Sequence, residues 1–176
     1  MKVDIGLGDY LSFFNKILQN LDNLGISIES YPLSHLGYRT TSLEQYQVIL
    51  NQLQKHSALF AENVHNGRNI AKIILKNELV LQRNFRVSTI ELMPPKSDHE
   101  YDEGFEHCGI VTGDEFERFN KEHESVLTGQ QDQGPFCQPT FIRFKDGSRV
   151  KFYKYSLKQV VELEGNSFKG ISELKK

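Results

Sequence analysis

Two short turn sequences constrain the possible fold more than any other feature of the chain. Asn66-Gly67 and Asp146-Gly147 each separate two runs that are rich in β-branched and aromatic residues. Asn-Gly and Asp-Gly readily adopt the positive φ angles that a two-residue hairpin turn requires. We therefore predict two antiparallel β-hairpins. Their strands span residues 58–65, 68–75, 141–144 and 148–155.

Four helices are indicated by apolar residues at helical spacing that follow a residue able to cap a helix N-terminus. Asp9 precedes the first pattern and Thr41-Ser42 the second, with Glu44 and Gln45 three residues on as in a capping box. Asp114 and Glu117 suggest a capping box for the third helix, and Ser156 opens the last one. The predicted helices span residues 9–24, 42–56 and 114–127, with the fourth beginning at 156.

The remaining strands complete an order of elements that occurs twice. Alternating runs predict strands within 26–39, 86–93 and 105–112, whereas 128–138 lacks a clear strand. The chain therefore reads as β-α-β-β-β followed by a second β-α-β-β-β whose second strand is weak or missing. Residue identities hardly repeat, so the order of elements carries the prediction.

We predict a single α+β domain that covers residues 1–176. Its two tandem β-α-β-β-β modules, at 26–95 and 104–165, should form one mixed sheet. An additional helix precedes the first module within residues 1–25, and a C-terminal helix follows the last strand.

Composition excludes several classes of function. A formal net charge of −2 gives no basic surface for nucleic acid. No stretch approaches the run of about 18 apolar residues that a membrane span needs. The two cysteines have no CxxC neighbour, so we expect reduced thiols. Together these features predict a soluble cytoplasmic protein.

Strand alternation places three polar residues among apolar neighbours, because successive side chains point to opposite faces of a sheet. His35, Glu91 and His107 each share a face with apolar residues or glycine in their predicted strands. Glu106 should point away from His107 and have a structural role. A buried carboxylate needs a partner, and two imidazoles with a divalent cation would supply one. An ordinary salt bridge with core histidines is the alternative.

Four segments of the chain resemble one known family: SHLGYRTTS, TIELMPPK, GFEHCGIV and DGSRVKFYKYSL. They look like segments of the YecM family, a branch of the vicinal-oxygen-chelate superfamily that includes glyoxalase I and the extradiol dioxygenases. The resemblance implies a cup-shaped sheet of two modules, with metal ligands on the first and fourth strands of each. This pattern maps onto His35, Glu91 and His107.

The fourth ligand position of that pattern falls on Lys151, where a carboxylate is expected. A protonated lysine cannot bind a metal, so the resemblance implies an open site with three ligands. Lys151 is then a candidate catalytic acid or base, an anchor for an anionic substrate, or a structural partner of Glu91. The candidate substrate-binding residues inside the cup are Arg39, Arg143 and Tyr153, with Lys72 as a weaker candidate.

The function implied by the resemblance is that of a metal-dependent isomerase, lyase or dioxygenase acting on a small oxygenated molecule. The cofactor would be a divalent ion such as Zn, Fe(II), Mn or Ni. A non-catalytic small-molecule or metal-binding protein of the same fold is the alternative.

Overall fold

The computed structural model describes residues 4–65, 67–95 and 102–170. In these ranges the helices are α1 (Tyr10–Asn23), α2 (Leu43–Gln54), α3 (Phe116–Glu122) and α4 (Leu157–Leu163). The strands of the first half are β1 (Leu33–Arg39), β2 (Ser57–His65), β3 (Arg68–Val80) and β4 (Arg86–Met93). Those of the second half are β5 (Gly104–Val111), β6 (Gly129–Gln130), β7 (Thr140–Arg143), β8 (Arg149–Tyr153) and β9 (Lys169–Gly170). Single 3₁₀ turns lie at Gln82–Asn84 and Gly113–Glu115.

The strands form one mixed sheet in the order β6-β7-β8-β5-β1-β4-β3-β2-β9. Within each half the first strand pairs in parallel with the last one, β1 with β4 and β5 with β8. The two halves join where β1 and β5 pair in antiparallel fashion. This arrangement confirms the predicted α+β fold of two β-α-β-β-β modules in one cup-shaped sheet, with an extra helix at each end.

Local sequence signals position most of these elements as predicted. The side chain of Asp9 accepts a hydrogen bond from the backbone of α1, and Ser42 does the same for α2. Ser156 caps α4 in a complete capping box with Gln159. Both hairpins are present, with β2 paired to β3 and β7 paired to β8. Of the first predicted turn, Asn66 lies outside the described residues.

The predicted helix 114–127 is wrong in its start, its length and its cap. Asp114 lies in the 3₁₀ turn after Gly113, whose φ of +60° turns the chain out of β5. The helix proper is α3, and its cap residue makes no side-chain hydrogen bond. The segment from 128 to 138, which has no clear strand pattern, contributes the short strand β6 at the sheet edge.

The two faces of the sheet differ in chemistry. One face packs against the helices through a large apolar cluster that includes Leu36, Ile90, Cys108 and Val150. The residues that alternate with these on the same strands point to the opposite, concave face. Both cysteines are buried free thiols. No helix in the described ranges is long and apolar enough to cross a membrane.

Candidate metal centre

Three side chains meet on the concave face near the centre of the sheet. The Nε2 atoms of His35 and His107 lie 3.1 Å apart. A carboxylate oxygen of Glu91 lies 3.1 Å from the Nε2 of His107 and 3.7 Å from that of His35. One ligand atom from each residue falls within 4.8 Å of the others. The structure therefore brings together the three residues that were predicted as metal ligands.

Strand register explains this convergence. Across β1 and β5, His35 pairs with Gly109 and Gly37 pairs with His107. Gly37 also pairs with Glu91 across β1 and β4. Each histidine ring therefore lies over a glycine of the facing strand, and the carboxylate lies beside them.

Both glycines are needed for space. A Cβ on Gly37 would lie 2.2 Å from Cε1 of His107, and one on Gly109 would lie 2.5 Å from Cε1 of His35. Such distances are far below ordinary van der Waals contact. The motif His-x-Gly thus occurs once in the first strand of each module. The sequence also contains His65-Asn66-Gly67 at the first predicted turn, so the motif indicates the centre only where it falls in the first strand of a module.

A β-bulge precedes each histidine. Ser34 is an additional residue on β1, and Glu106 is an additional residue on β5, because the pairing shifts by one position at each point. The prediction that Glu106 points away from His107 is therefore wrong. A bulge places two successive residues against one partner, so strict alternation fails there.

The residue before each histidine contacts the Nδ1 atom of that histidine. The Oγ atom of Ser34 lies 2.8 Å from Nδ1 of His35 and also accepts a hydrogen bond of 2.8 Å from the backbone N–H of Leu157. A neutral His35 that offers Nε2 to a metal carries its proton on Nδ1 and donates it to Ser34. The first turn of α4 is thereby tied to the site.

Glu106 has the corresponding place beside His107. Its carboxylate lies 3.6 Å from Nδ1 of His107, 2.9 Å from Nε of Arg39 and 3.6 Å from a guanidinium nitrogen of Arg149. Burial acts to raise the pKa of Glu106, but the adjacent His107 imidazole and the hydrogen-bonded Arg39 guanidinium outweigh burial and hold the pKa well below its usual range. The Glu106 carboxylate is therefore an anion that lies beside Nδ1 of His107, a candidate metal ligand.

The protonation states suit a divalent cation. Burial lowers the pKa of His35 to about 3, so its imidazole is neutral near pH 7. Burial acts to raise the pKa of Glu91, yet the hydrogen bond with His107 and nearby positive charge hold that pKa below its ordinary value. The Nδ1 atom of His107 is buried and lacks a hydrogen-bond partner. Two imidazoles and one carboxylate form a donor set that fits Zn, Fe(II), Mn or Ni.

A cavity of about 250 Å³ opens beside this centre, and its lining includes Glu91, Arg39 and Lys151. Lys151 is 5% exposed and pairs with Gly109 across β5 and β8. Glu91 has the same relation to Gly37 in the first module. Lys151 therefore occupies the symmetry-equivalent position of Glu91.

The other candidate binding residues differ in how far they are buried and in whether they line the cavity. Arg39 is buried and donates hydrogen bonds to Glu106 and to the backbone oxygen of Pro94. The ring of Tyr153 packs edge-on against His35 at 5.4 Å between centroids. Arg143 is exposed and is not among the residues that line the cavity. Lys72 is buried and pairs across strands with Glu91.

Sequence comparison connects this site to a family. The family model described as YecM protein matches residues 4–138, which include both histidines and Glu91. The chain belongs to the YecM family. A comparison with curated protein sequences found no match.

One solved structure shares this fold over nearly the whole chain. "Structural Genomics, Protein EC4020" superposes with a TM-score of 0.72 at 21% identity, covering 93% of this chain and 98% of that one. Methylmalonyl-CoA epimerase is similar over 70% of this chain and 94% of that one, with 12% identity and a TM-score of 0.44. A 2,2',3-trihydroxybiphenyl 1,2-dioxygenase from Sphingomonas wittichii strain RW1 is similar over 70% of this chain and 40% of that one, with 13% identity and a TM-score of 0.41. The last two similarities are too weak to transfer a function to this YecM-family chain.

Proposed function

We propose that this YecM-family protein is a metal-dependent enzyme of the vicinal-oxygen-chelate type that acts on a small oxygenated molecule. His35, Glu91 and His107 would hold a divalent cation. The observation that carries this proposal is the convergence of two Nε2 atoms and one carboxylate oxygen within 4.8 Å, on three separate strands.

The arrangement leaves room for a substrate. Three protein ligands occupy one side of a divalent ion and leave further coordination positions open, as in metal sites that perform chemistry. When bound, the ion would supply Lewis acidity to two adjacent oxygen atoms of the substrate. The cavity would give such a molecule a place beside Glu91, one of the three ligands.

Protein groups behind the ligands would keep their geometry. Ser34 would hold the ring of His35, and Glu106 would hold that of His107, so that both Nε2 atoms face one point. Buried surroundings exclude water from both imidazoles, each of which is fully buried. Lys151, which lines the same cavity, is a candidate to exchange a proton with the substrate or to hold its charge.

Metal content and melting temperature together test this proposal. Protein purified without a nickel column should contain one divalent ion per chain, and His107→Ala should lose it. A chelator should lower the melting temperature of the unmodified protein and leave that of His107→Ala unchanged, because only a metal that binds the native state stabilises it. His123→Ala, which alters a partly exposed histidine in another part of the fold, is the matched control and should behave like the unmodified protein.

Two results would refute the proposal. One is metal well below one equivalent in both proteins even after incubation with Zn, Fe(II), Mn and Ni salts. The other is full metal retention by His107→Ala, which would place the metal elsewhere. A chain that binds a small molecule equally well with and without chelator would instead support the non-catalytic alternative.

A further inference from the structure

The cavity beside the candidate metal centre carries more charged groups than the centre itself requires. Its lining includes four cationic side chains, from Arg39, Arg68, Arg149 and Lys151. The carboxylates in the same lining are Glu91, Glu106 and Asp132. The balance of charge depends on which of these groups already neutralise one another.

The carboxylates are occupied by other partners. Glu91 faces the two imidazoles, and Glu106 contacts Arg39 and Arg149. Asp132 is exposed and accepts hydrogen bonds from its own loop, including the backbone N–H of Gly134. None of these contacts reaches Arg68 or Lys151.

Two cations therefore face the cavity without an ion pair among the described residues. Lys151 is 5% exposed and interacts electrostatically with the carboxylates of Glu91 and Glu106, but no direct hydrogen bond or ion pair joins its amine to the described residues. The Nη1 atom of Arg68 is buried and has no hydrogen-bond partner. A buried charge without a direct partner is costly, and Lys151 is such a group. Arg68 is half-buried beside the same cavity, so an anion between the two side chains would interact with both.

An unsatisfied acceptor lies in the same lining. The side-chain oxygen of Gln131 is buried and has no hydrogen-bond partner. A ligand that meets this oxygen must present a donor, such as a hydroxyl group. At about 250 Å³ the cavity lies just below the usual range of about 300–1,000 Å³ for ligand sites and suits a compact molecule.

We propose that the natural ligand of this cavity is a small hydroxylated anion whose carboxylate or phosphate group binds between Lys151 and Arg68. This inference deepens the proposed function, because adjacent oxygens of the same molecule would reach the metal held by His35, Glu91 and His107. The anion subsite is made of protein cations alone, so it binds its ligand even when the metal is removed.

A matched set of three compounds tests the inference. Glycerol, glycerate and glycerol 3-phosphate all carry adjacent oxygens, but only the last two are anions. Calorimetric titration of chelator-treated protein should show binding of glycerate, glycerol 3-phosphate or both, at least about 10-fold tighter than glycerol. The preference between the two anions identifies whether the subsite takes a carboxylate or a phosphate group.

Variants locate the binding site. Lys151→Met and Arg68→Gln should each weaken binding of the preferred anion about 10-fold or more, while Lys151→Arg keeps most of it. Lys145→Met removes an exposed lysine from the turn of the same β7–β8 hairpin and should bind as the unmodified protein does. Circular dichroism of each variant shows whether it is folded, and Arg68→Gln keeps the test available if Lys151→Met does not fold.

The outcomes separate the two proposals. Equal affinity for glycerol and both anions, or anion binding that neither variant weakens, would overturn the anion subsite. Absence of metal in the purified protein with intact anion binding would overturn the proposed metal-dependent function and leave the subsite standing.

Discussion

The ring of His107 lies in the space that a side chain on Gly37 would occupy. The two residues pair across β1 and β5, and an added Cβ would lie 2.2 to 2.6 Å from three atoms of the ring. His35 and Gly109 repeat this relationship across the same pair of strands. Glycine at these positions therefore determines where both candidate ligands can lie.

Gly37→Ala should displace His107 and damage the candidate metal site. The methyl group cannot be accommodated without moving a fully buried ring, which costs about 1–3 kcal/mol of folding free energy. Metal affinity should fall at least about 10-fold, the lower limit for loss of a supporting group around a ligand. Titration with a divalent ion and chemical denaturation measure the two effects.

Gly8→Ala is the control for the glycine substitution. Nothing lies within 4 Å of a Cβ built on Gly8, so this change should alter neither metal affinity nor stability appreciably. Unchanged metal affinity in Gly37→Ala would show that His107 does not bind the metal in the orientation described above.

Local patterns in the sequence were sufficient to predict the modules and the face on which the ligands lie. The turn sequences Asn66-Gly67 and Asp146-Gly147 predicted both hairpins, and the cap residues Asp9 and Ser42 predicted the starts of two helices. These signals act over a few residues and depend little on the rest of the fold. The prediction for Lys151 came from the family resemblance and not from alternation.

The supporting residues were not predictable in the same way. Ser34 and Glu106 turn toward the site because the pairing of β1 with β5 shifts by one residue at each of them. Such a shift depends on how two strands that are far apart in the chain align with each other. The pattern of either strand alone does not show it. Comparison of His35-x-Gly37 with His107-x-Gly109 would have indicated that the two strands meet as equivalents.

Glu106→Gln should weaken both metal binding and the fold. The change removes the anion behind His107 and the charged partner of Arg39, while the amide keeps the size of the side chain. We expect metal affinity to fall about 10- to 100-fold. Stability should fall by about 1.5–3 kcal/mol, the range for hydrogen bonds to charged groups.

Tyr46→Phe controls for a simple loss of stability. It removes a hydrogen bond of 2.7 Å to Glu62 from a helix on the opposite face of the sheet. Metal affinity measured well below the melting temperature should stay unchanged in this variant. If Glu106→Gln also leaves metal affinity unchanged, Glu106 has only a structural role.

The chelator-treated protein should lose stability in mild acid because of His35. Burial lowers the pKa of this histidine to about 3 in the folded protein, whereas an unfolded histidine titrates near 6.5. Below pH 6.5 the unfolded chain takes up a proton that the folded chain does not, so the free energy of unfolding decreases as pH falls toward 3. Between pH 6.5 and 5 this contribution is about 2 kcal/mol.

Denaturation of the chelated protein at several pH values measures this dependence. His35→Gln removes the titrating group, so its free energy of unfolding should decrease less steeply between pH 6.5 and 5. The comparison uses the slope with pH and not the absolute stability, which the substitution also changes. Parallel slopes for the two proteins would show that His35 is not held neutral by burial.

Ser34→Ala should disturb both the fold and the metal site, because one hydroxyl group serves both. The Ser34 Oγ atom accepts the backbone N–H of Leu157 and contacts Nδ1 of His35, each at 2.8 Å. Its loss leaves a buried N–H without a partner, which costs about 1–3 kcal/mol.

Ser156→Ala removes the ordinary cap of the same helix and costs about 1 kcal/mol without touching either histidine. Denaturation and metal titration of both variants should therefore show lost stability in each but weaker metal binding only in Ser34→Ala. Equal metal affinity in the two variants would mean that the hydroxyl of Ser34 anchors α4 and does not orient His35.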